Sequence, residues 1–191
     1  MAAAEEFVER GYDAARVSAI ARRAGLTSGA VYARWPNKGD VMVAALKYIF
    51  ERMLPDWRLQ QAGGGEMSPP TMMAALGAGL VVPDKRRDVL VQVFGSARNH
   101  KEIQECLQQY LDEDSEQLRL IVEAGKEAGL VDLGLSTDAM VLLCQAVEVG
   151  AYLLLSGGVG ERDDTTEDQW NALLGRLIAA VAPPGSPSPC Q

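Results

Sequence analysis

The chain holds one histidine, His100, and three cysteines in 191 residues. A single imidazole with no paired acid–base constellation around it offers little to catalysis, so no enzyme activity is expected. Cys106, Cys144 and Cys190 have no metal-ligand spacing, and an odd count argues against a disulfide framework. Neither a zinc site nor a phosphate-cradling glycine loop is legible, and no cofactor is expected. Positive charge is also scarce: 18 Lys and Arg stand against 26 Asp and Glu, a net charge of -8. The opening Met1-Ala2-Ala3-Ala4-Glu5-Glu6 lacks the basic leader of a secretory signal. No charge-free stretch reaches membrane-spanning length, because the apolar run Met140–Leu155 contains Glu148. The expectation is a cytoplasmic protein with reduced thiols and no membrane partner.

A uniform charge of -8 would argue against nucleic-acid binding. The charge is not uniform. Residues 1–50 carry seven Lys and Arg against five acids, a balance of +2, so the remainder carries -10. A small DNA-reading head on an acidic body fits that asymmetry.

The stretch from Arg16 to Tyr32 reads as two short helices around a tight turn. Ala21 and Ala24 allow close approach. Gly25 sits where a helix must stop and where positive φ is needed. Thr27 can cap the following helix through its hydroxyl. Ile20, Leu26 and Val31 supply apolar residues to lock the pair. Upstream, Ala and Glu favour a first helix from about Ala2 to Arg10, which Gly11 stops. Downstream, Pro36 forces Trp35 toward an extended backbone and ends the helix that began near Ser28. Asn37 can cap a fourth helix, about Lys38 to Trp57, with Asp40 at its third position.

Phe7, Gly11-Tyr12, Val17, Ile20-Ala21, Ala24-Gly25, Gly29, Tyr32, Trp35-Pro36 and Lys38 stand in an order that resembles the DNA-binding domain of the TetR family of bacterial transcriptional repressors. The resemblance covers about the first quarter of the chain; the remainder is similar in length and helical character. It implies an all-α fold: a three-helix helix-turn-helix DNA-binding domain over residues 1–45, then a larger helical ligand-binding and dimerisation domain over 46–182. Residues 183–191, rich in proline, are expected to be a disordered tail. Two departures matter. Only six residues precede Phe7, two of them acids; either the first helix is short or the true start lies upstream, and in both cases the minor-groove contacts made by the basic arm of many relatives are not expected. Arg16 stands where the family usually has Thr. It cannot accept a capping bond but can donate to phosphate.

The recognition helix would present Thr27, Ser28, Gly29 and Ala30 to base edges. Their hydroxyls and methyl suit bases or phosphate, and Gly29 allows close backbone approach. Arg34 is the one long donor on that helix. Tyr32 and Lys38 are the family's usual phosphate contacts; for Lys38 the physics agrees, because a cation at a helix start is ill placed unless a phosphate shares the site. The alternatives are a part-buried Tyr32 ring and a solvated Lys38.

In the body, helices are expected at about Met72–Leu76, Asp84–Ala97 and Glu102–Ala128, the last weakened by Gly125. Others should follow Ser136 to about Leu155 and cover about Thr166–Ala180. The helix ending at Leu155 is apolar nearly all round, which a partner subunit could bury. Candidate ligand-lining residues are Met72, Met73, Phe94, His100, Cys106, Tyr110, Cys144, Glu148 and Tyr152, each of a type found more often as plain core or surface. The expected function is a sequence-specific DNA-binding regulator, a homodimer on an inverted-repeat operator, released by an unidentified small molecule. The alternative is a helical protein-interaction module that has lost DNA binding.

Overall fold

A computed structural model describes residues 1–55, 59–60, 67–82, 85–155 and 165–184; the side chains of Pro69, Pro70, Met73 and residues 85–88 fall outside that description. Nine helices and no strand occur among the described residues. They are α1 (Ala2–Ala14), α2 (Val17–Arg23), α3 (Ser28–Arg34), α4 (Lys38–Phe50), α5 (Pro69–Leu76), α6 (Lys85–Ala97), α7 (Lys101–Glu127), α8 (Thr137–Leu155) and α9 (Glu167–Ala180). Two compact units form. The first joins Met1–Arg52 to Asp84–Leu111, and the second joins Met53–Pro83 to Asp112–Gln191.

In the first unit, α1 runs past the expected stop but breaks there. Gly11 has φ 71° and ψ 170°, outside the helical region, so α1 is two helical pieces across a kink. A side chain at that φ would be strained, which is why glycine stands there. α2 buries Val17, Ile20 and Ala21, spaced to share one face. It ends in a Schellman motif: Gly25, at φ 68°, donates to Arg22 O at 3.2 Å and Leu26 N donates to Ala21 O at 2.9 Å. Leu26 is not the core anchor expected of it. As the residue after the left-handed turn it stands 53% exposed, while Ile20 and Val31 are buried.

α4 stops at Phe50, not near Trp57, a residue outside the described set. Pro55 disfavours helical backbone at the residue before it. Arg52 also turns back, donating to Tyr48 O at 2.8 Å with its guanidinium 3.5 Å from the Tyr48 ring centroid. The helix packs on α1 through a fully buried set that includes Met42, Leu46 and Ile49. Phe7 is fully buried as well. α6 also packs on α1, so the compact unit around the head is larger than residues 1–45.

The second unit has its own core. Met72, Val131, Leu174 and Ile178 form one cluster, and Leu118, Val122 and Val141 another, with Leu76 and Met140 against both. Gly125 does not break α7. A Cβ there would lie 3.0 Å from Val131 and 3.4 Å from Met72, so the missing side chain lets α7 and these neighbours approach. Ser136 Oγ accepts from Ala139 N at the start of α8. Thr166 and Gln169 form a reciprocal capping box at the start of α9. Asp132 N donates to Val181 O at 2.7 Å, and Trp170 Nε1 to Gly77 O at 2.9 Å, which fastens α9 at both ends. The tail from residue 185, Cys190 included, lies outside the described residues.

Candidate nucleic-acid interface

α3 has seven residues and buries one of them, Val31. Alone it would be too short to persist in water. Its ends are therefore held from outside. At the start, Thr27 Oγ1 accepts from Ala30 N at 3.1 Å, satisfying one orphan donor of the first turn. At the end, Trp35 leaves the helix with an extended backbone, and Asn37 restarts α4 by accepting from Asp40 N at 2.9 Å. The Asn37 amide also donates to the Asp40 carboxylate at 2.8 Å, so the capping is reciprocal between side chains.

The rest of α3 faces out. Gly29, Ala30, Tyr32 and Arg34 are exposed and Ser28 is half-buried. The Tyr32 ring is 46% exposed, and the Arg34 guanidinium lies 5.2 Å from the Trp35 ring centroid. A Cβ built on Gly29 would meet only Thr27 Oγ1, at 3.9 Å. Packing within the protein gives no reason for glycine at this place.

Charge is sorted around this face. The acids of α1 are engaged locally: Arg23 reaches Glu5, Glu6 and Glu9, and Arg10 Nε lies 3.2 Å from Glu6 Oε1. The Arg23 fork holds the Glu9 carboxyl below its ordinary range. Glu6 is buried, and its carboxylate accepts from Arg16 N at the start of α2. An anion belongs at a helix start. It serves where the Arg16 side chain cannot cap. Arg16, Arg22 and Arg34 remain exposed, on the elements next to α3 or on α3 itself.

Lys38 has a role that sequence reasoning missed. Its ammonium donates to Tyr12 O at 2.8 Å and to Asp13 O at 3.0 Å, and lies 4.8 Å from the Tyr12 ring centroid. It closes the C-terminal end of α1, where a cation is favoured. Tyr12 is the centre of the junction. Its ring is buried, edge-on to Phe7 at 6.2 Å and tilted on His100 at 4.2 Å. Its hydroxyl donates to Glu102 Oε1 at 2.6 Å, and Asp13 Oδ1 lies 3.1 Å from His100 Nε2. Burial and the Glu102 carboxylate push the Tyr12 phenol far above its usual range, while the bond from Tyr12 lowers the Glu102 carboxyl. Gly39 is pressed against this bond: a Cβ there would lie 3.3 Å from the Tyr12 hydroxyl and 3.4 Å from Glu102. Thus the end of α1, the start of α4 and the start of α7 meet at one point. Glu102 gives no sequence signal, because Tyr12 lies 90 residues away. Glu6 gives none although Arg10 stands four residues on, and His100 reads from sequence only as a ligand-lining candidate, not as the partner of Asp13.

The candidate ligand residues do not form one group. Phe94, Cys106 and Tyr110 belong to the first unit, where Tyr110 stacks on Phe50 at 4.5 Å and burial pushes the Cys106 thiol up. Met72, Cys144, Glu148 and Tyr152 belong to the second, and the Met73 side chain is outside the description. Glu148 and Tyr152 are buried together, the phenol donating to the carboxylate at 2.6 Å. Met72 and Cys144 do share a cavity of about 380 Å³, whose walls include Leu76, Met140, Trp170 and Leu177. No residue of α4 lines it.

An exposed short helix, capped and braced as the second member of a helix-turn-helix, is the arrangement by which such motifs present a recognition helix to DNA. Comparison with known proteins finds the same arrangement. Residues 1–45 match the profile of the bacterial regulatory proteins of the tetR family. A protein from Rhodococcus sp. described as a TetR-family transcriptional regulator superposes with TM-score 0.76 at 17% identity, over 95% of each chain. A transcriptional regulator from Saccharomonospora viridis, solved with choline, gives 0.72 at 19% identity over 93% of this chain and 91% of that one. AibR, solved with isovaleryl coenzyme A and operator DNA, gives 0.66 at 16% identity over 93% of this chain and 95% of its own. No curated protein matches. The family match is confined to residues 1–45, and over nearly its whole length the chain shares the fold of these regulators.

Proposed function

We propose that the protein is a homodimeric repressor that reads an inverted-repeat operator and leaves it when an apolar small molecule binds. The observation that carries the DNA-binding half is α3, with one buried residue and an outward face of small and hydrogen-bonding side chains. In this reading Thr27, Ser28, Gly29 and Ala30 meet base edges, and Arg34 reaches base or backbone. Tyr32 and Arg16 donate to phosphate. Lys38 does so too: an ammonium has three protons, and two of them hold Tyr12 O and Asp13 O.

Dimerisation is supported by α8 and α9. Leu142, Leu143, Leu153, Leu154, Leu173 and Leu177 are each 43–68% exposed. By length and composition α8 could cross a membrane. The reading adopted is that a second copy covers these leucines, burying more than about 1,000 Å². The covered face includes Leu143 and Leu177, which also line the apolar cavity, so the second copy would close that cavity around an effector. The structural neighbours solved with choline and with isovaleryl coenzyme A support the ligand half of this reading.

A mobility-shift titration with DNA flanking the protein's own gene tests the proposal. The expected result is a saturable complex on an inverted repeat, with half-sites about one helical turn or more apart. Binding no tighter than to random DNA would leave the interaction-module reading in its place.

A further inference from the structure

Gly95 lies in the last turn of α6, and neither reason for a helical glycine applies to it. Its φ is not positive, and a Cβ built there meets nothing within 4 Å. Glycine in a helix is less favourable than alanine, so the fold would accept and even prefer a side chain at this position. The space it leaves is one wall of a cleft of about 310 Å³ within the first unit. The facing wall is the kinked end of α1, with Arg10 and Asp13; Gln92, Ser96, Asn99 and His100 complete the lining.

The walls carry both signs of charge. Arg10 engages Glu6 through Nε. The Nη edge of a guanidinium is a fork suited to a carboxylate. Asp13 engages His100 through Oδ1, with its side chain 87% exposed. A carboxylate so placed can receive an ammonium. Two side-chain amides and a hydroxyl add donors and acceptors without charge. A single anion would be repelled by Asp13 and a single cation by Arg10.

We infer that the cleft between the end of α1 and the last turn of α6 binds a small zwitterion of free amino-acid size, at a site separate from the apolar cavity of the second unit. Its carboxylate meets Arg10, its ammonium meets Asp13, and Gln92, Ser96 and Asn99 select among side chains. The bound molecule bridges α1 to α6. The carbonyls of Tyr12 and Asp13 hold Lys38 at the start of α4, directly after the recognition helix, so occupancy bears on how α3 is presented.

Calorimetry on the full chain without DNA tests this, so its outcome does not depend on the operator. The probes are the twenty proteinogenic L-amino acids, added singly up to 10 mM. At least one should bind at one site per chain with Kd below about 1 mM. Asp13→Asn and Arg10→Gln should each weaken it about tenfold or more. Gly95→Leu should abolish it, because the leucine side chain fills the cleft, while thermal stability holds or rises and operator affinity stays unchanged. The amino acid that binds should change wild-type operator affinity about fivefold or more, in either direction, and leave the Gly95→Leu protein unaffected. No binding by any of the twenty, or binding that survives Gly95→Leu, overturns the inference.

Discussion

Replacing Gly29 by alanine should stabilise the protein and weaken its hold on the operator. Inside the protein the change is favourable. Gly29 is helical, and the new Cβ meets only Thr27 Oγ1, at 3.9 Å, an ordinary contact that leaves the bond from Ala30 N to that oxygen intact. Alanine also lowers the chain entropy lost on folding, a gain of about 0.5–1 kcal/mol, so Tm should rise by about 1–4 °C. Outside the protein the change is unfavourable. If the backbone at Gly29 touches the groove, a methyl there lifts α3, and the bonds made by Thr27, Ser28 and Arg34 lengthen together. The loss should resemble that of one mismatched base pair, about 1–3 kcal/mol, or roughly tenfold or more in affinity. Random-sequence DNA, held by phosphate contacts alone, should lose far less. Fluorescence anisotropy on both DNAs, with a melting curve on the same sample, gives the two signs separately. A variant that is more stable and binds the operator as tightly as wild type would show that Gly29 does not approach DNA.

Lys38→Ala should lower the salt slope of DNA binding by about one and cost about 1–3 kcal/mol of stability, since two charge-assisted bonds to carbonyls are lost. A salt titration and a urea melt separate these, and an unchanged slope removes the phosphate contact while leaving the brace. Phe7→Ala should cost about 3–5 kcal/mol by emptying a fully buried site, read as a fall in the urea midpoint. The Glu102 carboxyl is depressed in the fold by its bond from Tyr12, so its contribution is present above the ordinary carboxylate range and is lost as pH falls through the folded value. Tyr12→Phe should therefore shrink the stability gap between pH 7 and pH 3 in urea melts, and an identical gap would count against the bond. Leu142 and Leu173 are exposed, and if the proposed dimer forms through them the wild type should sediment as a dimer at micromolar concentration and the Leu173→Glu, Leu142→Glu double variant as a monomer.

The features legible in sequence were those set by neighbours a few residues away. Gly25 announced a left-handed turn, Thr27 and Asn37 announced caps, and Pro36 announced a stop; all four act within one helical turn, and all four stand where expected. The start of α8 followed from the same local chemistry at Ser136, whereas the capping box of Thr166 and Gln169 was not read from sequence. What was not legible depends on distant partners. Gly125 looked like a flaw in a long helix until Val131 and Met72 were seen against it. Glu6 looked like one more surface acid, although it is buried on Arg10, Arg23 and Arg16 N. The ligand candidates were chosen by residue type alone, and type does not tell Cys106 in one unit from Cys144 in the other.

Tyr12 shows how local and distant terms combine. The Gly11-Tyr12 pair was readable as a family feature, but the reason for an aromatic there is physical. The kink at Gly11 turns the chain so that the carbonyls of residues 12 and 13 point at Lys38 and the phenol points at Glu102. A leucine at position 12 would fill the space beside Phe7 but could neither donate to Glu102 nor offer a ring face to Lys38. The ring therefore fastens the head to α7, while its own backbone fastens α1 to α4. A recognition helix with one buried residue has little stability of its own. Its orientation is set by such bonds at its borders, and a molecule that strengthens or loosens them can change DNA affinity without touching α3.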